Sequence, residues 1–270
     1  MLPLTRHREL LALPDAAGGA VIDVIVEGVG PAIVMLPSSL RDSEDFDDFA
    51  QLIAGQGFQV LRPQPRGMGR SSPPPPGTTL ATLAGDVAFT IERLARGPAV
   101  VVGHAYGHWV ARVLDMNHPQ RVRGVVLLGA SAKVVPPGMA EALAIGSDPT
   151  QPEKERLDAL GKSMFAPGND ARRWLAGWHP NLRAEYRSAG QQPPKDVWFP
   201  VAHAPILDLQ GDQDPWRPAA SRFELKDIVG DKVTVQVIAN ASHALIPEQP
   251  QAIAEAIVNW IRSLTPELTT

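Results

Sequence analysis

Short runs of apolar, often β-branched residues recur along this chain, and between them lie stretches long enough for amphipathic helices. Ala32-Ile33-Val34-Met35-Leu36, Ala99-Val100-Val101-Val102 and Val122 to Leu128 leave little room for a water-facing side. A mostly parallel sheet covered by helices on both faces buries strands of that kind. Helices are expected from about Phe46 to Gly55, from Leu80 to Arg96, from near Tyr106, and from about Pro247 to Leu264. Val21 to Val26 and Ala32 to Leu36 flank Gly28-Val29-Gly30-Pro31, which predicts a hairpin opening the sheet. The strand at Phe58 to Leu61 leads into a loop rich in proline and glycine.

The rhythm breaks from about Lys133 to Phe199, where no β-run appears and proline punctuates helix-prone sequence. It resumes at Ile206 to Leu209 and Val233 to Ile238. The expected organisation is therefore a core domain of residues 1–132 and 200–270, with a helical lid of residues 133–199 inserted in it. Trp174, Trp178 and Trp198 fall in that insertion and suit the wall of an apolar, substrate-binding cavity.

A length of 270 residues fits one large domain with such an insertion. The net charge of −4 gives no electrostatic reason to expect a nucleic acid or an anionic membrane as partner. The chain has no cysteine, which excludes disulfides, thiolate metal sites and a cysteine nucleophile. The first residues resemble no signal peptide, and no segment approaches the roughly 20 apolar residues that span a bilayer. A cytoplasmic protein is the default expectation, with a homodimer left open.

Val101-Val102-Gly103-His104-Ala105-Tyr106-Gly107-His108 follows a strand and opens a helix. That is the setting of a G-x-S-x-G nucleophile elbow, where glycines permit a turn so sharp that the central residue is thrust above the sheet. Four further pieces fall in order around it: Leu36-Pro37-Ser38-Ser39 and Pro65 to Ser71 with its R-G-x-G-x-S pattern before the elbow, then Gln210-Gly211-Asp212-Gln213-Asp214-Pro215 and Ala241-Ser242-His243-Ala244 after it. With these the chain resembles an α/β-hydrolase, of the esterase, lactonase and carbon–carbon-hydrolase branch, from about Ile22 to Leu264. The resemblance implies Asp214 as acid, ahead of Asp212, and His243 as base. It also implies an oxyanion hole from the amides of Ser39 and Tyr106, with Ser38 beside the substrate and no cofactor or metal. His104 and His108 read as packing residues, and Ser131 as a turn residue near the site.

Two departures stand out. Pro37-Ser38 occupies the family's His-Gly turn, and Ala105 stands where the serine belongs. Three readings of Ala105 compete: an engineered Ser→Ala substitution in a Ser-His-Asp hydrolase of an apolar ester or lactone, a natural enzyme in which a His243–Asp214 dyad works without serine, and a non-catalytic binder of small ligands. The first leads, because drift in a dead protein would also erode the acid and histidine loops. The expected partner in every case is a small molecule, apolar or aromatic.

Overall fold

The computed structural model describes residues 5–14 and 19–264. Its strands are β1 (Arg6–Ala12), β2 (Val21–Glu27), β3 (Ala32–Leu36), β4 (Gln59–Pro63), β5 (Ala99–His104), β6 (Val122–Leu128), β7 (Ile206–Gly211) and β8 (Val233–Ile238). They form one sheet in the order β1-β2-β4-β3-β5-β6-β7-β8, antiparallel at β1 and β2 and parallel from β4 to β8. The central strands are buried on both faces, as their composition requires. Ile33 and Met35 of β3 face one side with Val100 and Val102 of β5, whereas Val34 and Val101 face the other. Helices α1 (Asp47–Ala54) and α9 (Pro250–Ser263) cover the first face through Phe49, Ile53, Ile253 and Ile257. Helices α2 (Leu80–Leu94) and α3 (Tyr106–Asn117) cover the second through Leu83, Val87, Val110 and Leu114, with α8 (Glu224–Val229) adding Leu225.

The expected hairpin is not formed. β2 and β3 do not pair, because β4 lies between them. The glycines that suggested a tight turn serve a different contact. A Cβ on Gly28 would lie 2.5 Å from the Phe58 carbonyl oxygen, and one on Gly30 would lie 2.0 Å from that of Gly57. They let the β2–β3 loop press against the turn entering β4.

Between β6 and β7 the chain forms α4 (Met139–Gly146), α5 (Glu153–Ser163), α6 (Arg183–Ala189) and α7 (Lys195–Trp198), with no strand in that stretch. Arg41 ties it to the sheet side. Its guanidinium lies over the rings of Trp174 and Trp178, donates to the Ala176 carbonyl at 2.9 Å and pairs with Asp45. The acidic residues after Asp42 have charged partners: Asp45 meets Arg41, and Asp47 meets the fully buried Arg62.

Candidate active site

β5 ends in the turn that the site depends on. Ala105 has φ 46° and ψ −113°, a sparsely populated conformation for a residue with a Cβ, and such strain typically costs about 1–3 kcal/mol. Glycines on either side make the turn sterically feasible. A Cβ on Gly103 would sit 2.5 Å from the Gly107 carbonyl, and one on Gly107 would sit 2.3 Å from the Leu36 oxygen. We expect Gly107→Ala to push α3 from the end of β3 and to destabilise the fold by about 1–3 kcal/mol in urea unfolding. Gly85→Ala, in the interior of α2 with open space around it, should instead stabilise by up to about 1 kcal/mol. Equal effects at the two positions would contradict the close-approach argument.

The acid and the histidine meet. His243 Nδ1 lies 2.9 Å from Asp214 Oδ2, and both residues are buried. Asp214 Oδ1 accepts from the Trp216 amide at 2.8 Å, which fixes the carboxylate, while the Trp216 indole stacks on the imidazole at 5.0 Å and 26°. Asp212 is exposed and serves the turn, accepting from the Ala241 amide at 3.2 Å. With the carboxylate holding the proton on Nδ1, the Nε2 lone pair is left for the cavity. The histidine loop is anchored by Glu248, a residue the sequence reading passed over. Its carboxylate accepts from the amides of Ser242 and Ala166 and from the Asn169 side chain, each at 2.7 Å.

His243 and Ala105 line one cavity of about 560 Å³, together with Ser38, Ser39, Tyr106 and Ser131. A turn from Ser38 to Arg41, with Leu40 at φ 58°, carries Ser39 to its edge. The Ser39 amide has no acceptor among the described residues, and the Tyr106 amide opens α3, where a helix leaves its first N–H groups free.

None of Trp174, Trp178 and Trp198 lines this cavity; Trp109 and Trp216 do. The reason is competition for their faces. Trp174 packs between His104, Phe165 and Trp178 under Arg41, and Trp178 donates its indole N–H to the Trp174 carbonyl. Trp198 is buried against His108, Trp109 and Phe199. His108, read as packing, is buried but also reaches the cavity wall, and burial holds its imidazole neutral, well below the usual histidine range.

His104 lies behind His243, with its Nε2 2.8 Å from the His243 carbonyl oxygen. Burial first, then the neighbouring His243, push this imidazole down to about 4. The unfolded chain takes up that proton near pH 6.5 and the folded chain only near pH 4, so the native state binds fewer protons in between. His104 therefore leaves stability untouched above pH 6.5 and erodes it as pH falls, by about 3 kcal/mol at pH 4. Between about pH 7 and pH 5, His104→Gln should lose about 2 kcal/mol less than the parent in urea unfolding. Identical pH dependence in the two proteins would refute a neutral, buried His104.

Among the described residues no group of three or more histidines and carboxylates could hold a metal ion, and no helix is long and apolar enough to cross a membrane. Comparison with known proteins agrees with the architecture. A family model described as the alpha/beta hydrolase family matches residues 33–256. The 2-(acetamidomethylene)succinate hydrolase of Mesorhizobium japonicum is 24% identical over 90% of this chain and 92% of its own. A zearalenone hydrolase of Bionectria ochroleuca is 34% identical over 37% of this chain and 39% of its own. Among solved structures, an esterase from Exiguobacterium antarcticum superposes with a TM-score of 0.77 at 20% identity, covering 94% of this chain and 99% of that one. The strained elbow after β5, the sheet order and the family match lead to one statement: this chain belongs to the α/β-hydrolase family.

Proposed function

We propose that the chain hydrolyses an ester or lactone with a largely apolar body, using His243 and Asp214 as a general-base dyad and water as the nucleophile. The observation that carries this is the Asp214–His243 contact of 2.9 Å facing the cavity at Ala105. Alanine has no hydroxyl, so no acyl group can be carried at position 105. His243 Nε2 takes a proton from water, and the hydroxide adds to the carbonyl carbon. The amides of Ser39 and Tyr106 receive the negative oxygen, each donor of that kind being worth about 10²–10³-fold. The tetrahedral adduct then collapses, and the leaving alkoxide takes the proton back from Nε2. Asp214 holds the imidazole in its tautomer and stabilises it while it is charged. The helical segment of residues 133–199 acts as a lid, contributing Val135, Leu143 and Met164 to an apolar wall.

The names of the relatives support hydrolysis as the reaction class, since they include an esterase and two other hydrolases. A second reading is favoured by one observation: the elbow keeps its strained φ of 46° although alanine has no nucleophile to present. On that reading alanine replaces the serine of a covalent hydrolase. A panel of neutral esters and lactones, followed by acid release, tests the proposal. Turnover that needs His243 supports it, and a protein that binds these compounds without cleaving any of them would overturn it.

A further inference from the structure

The cavity has a charged end. Arg183 and Arg187 both line it, and they stand one turn apart on α6, so they share a helix face. They also border a second recess, lined by Pro180, Asn181 and Ser188, so the arginine pair is shared by the cavity and that recess. Arg183 is held in position without a carboxylate at ion-pair distance, although its charge acts on Asp148. Its Nη2 donates to Ser147 Oγ at 2.8 Å, and that buried serine donates in turn to the Leu143 carbonyl at 2.6 Å.

Arginines elsewhere in this fold have visible structural tasks. Arg62 pairs with Glu27 and Asp47, Arg66 with Asp86, and Arg217 with Asp208 and Glu224. Arg112 and Arg156 donate to backbone carbonyls. Among the described residues neither Arg183 nor Arg187 meets a carboxylate within ion-pair distance, and the one acidic side chain sharing the cavity wall with them, Glu141, is exposed. Arg183 feels the Asp148 carboxylate without forming an ion pair with it, and both arginines line a space whose remaining wall is mostly apolar.

From this we propose that Arg183 and Arg187 form a carboxylate-binding subsite at the lid end of the cavity, so that the substrate is an ester or lactone bearing a free carboxylate beyond a short apolar spacer. The inference rests on the hydrolase reading for the ester and on the arginine pair for the acid. Guanidinium groups match a carboxylate in shape and charge, and a hydrogen bond to a charged partner is worth about tenfold or more in binding. Net attraction at the pair also raises the rate of capture, an effect that salt removes over a Debye length of about 10 Å.

The test pairs two esters with one leaving group: 4-nitrophenyl hemisuccinate and 4-nitrophenyl pentanoate. The parent should prefer the anionic ester in kcat/KM by about tenfold or more, and the preference should shrink in high salt. Arg187→Gln, at an exposed position, should bring the ratio toward one, as should Arg183→Gln, while Arg183→Lys retains part of it. Calorimetric titration with succinate reads the subsite without any turnover, and binding about tenfold weaker in each glutamine variant is expected. Equal use of both esters, or succinate binding unchanged in both variants, would overturn the subsite. If succinate binding behaves as expected but neither ester is cleaved, the subsite stands and the hydrolase reading falls.

Discussion

Replacing His243 by alanine should lower kcat/KM for a cleaved ester by about 10²–10⁴-fold, with most of the loss in kcat. His243 is the residue that presents a ring nitrogen to the cavity beside Ala105 while its other nitrogen is held 2.9 Å from a buried carboxylate. Without it, on the proposed mechanism, water loses its proton unaided, with the amides of Ser39 and Tyr106 left as the expected oxyanion donors. Residual hydrolysis above the uncatalysed rate is therefore expected. Asp214→Asn probes the same unit with less damage to the loop, because the amide oxygen can still accept from Trp216 N–H. It should cost a comparable factor by favouring the wrong tautomer. Asp212→Asn should change activity little, since Asp212 is exposed and meets only the Ala241 amide. Steady-state rates with each variant, alongside its thermal unfolding, separate chemistry from folding. Turnover that survives intact in His243→Ala would end the dyad mechanism.

The parts of the fold legible in sequence were those where one physical demand acts alone. β5 and the elbow could be read because strands buried on both faces need apolar runs, and because Gly103 and Gly107 sit where a Cβ would strike backbone. β1 was illegible: Arg6–Ala12 is a half-exposed edge strand carrying charges, and its partner pairing with β2 leaves no local apolar signature. The Gly28–Gly30 segment misled because a glycine required by a long-range contact looks the same as one required by a hairpin turn. Asp214 and His243 were named through the resemblance to the α/β-hydrolases, and the structure brings their side chains to 2.9 Å from each other. The tryptophans could not be sorted, because which indole reaches a cavity depends on how α4 to α7 pack. Arg41, from the other side of the site, occupies the faces of two of them. Glu248 and Trp216 had no motif to announce them, as their work is to hold the histidine loop and the imidazole plane.

Ala105→Ser should make the protein a target for serine-directed fluorophosphonates, with covalent labelling faster than in the parent by about 10³-fold or more. The elbow already has the backbone this requires, φ 46° and ψ −113°, so the new hydroxyl projects into the cavity that His243 lines. His243 Nε2 then takes the hydroxyl proton rather than one from water, and the Ser39 and Tyr106 amides receive the same oxyanion. Intact-protein mass spectrometry should find one added group per chain, absent from the variant that also carries His243→Ala. Failure to label would mean that position 105 does not face the base, and the whole site assignment would fall. Steady-state turnover of esters then decides what alanine means. If water is the native nucleophile, the serine variant should show an acyl-enzyme burst but gain less than about tenfold, because deacylation still relies on the same water and the same base. A gain of about 10³-fold would instead identify the missing hydroxyl as the lesion and move the chain to the covalent branch of its family.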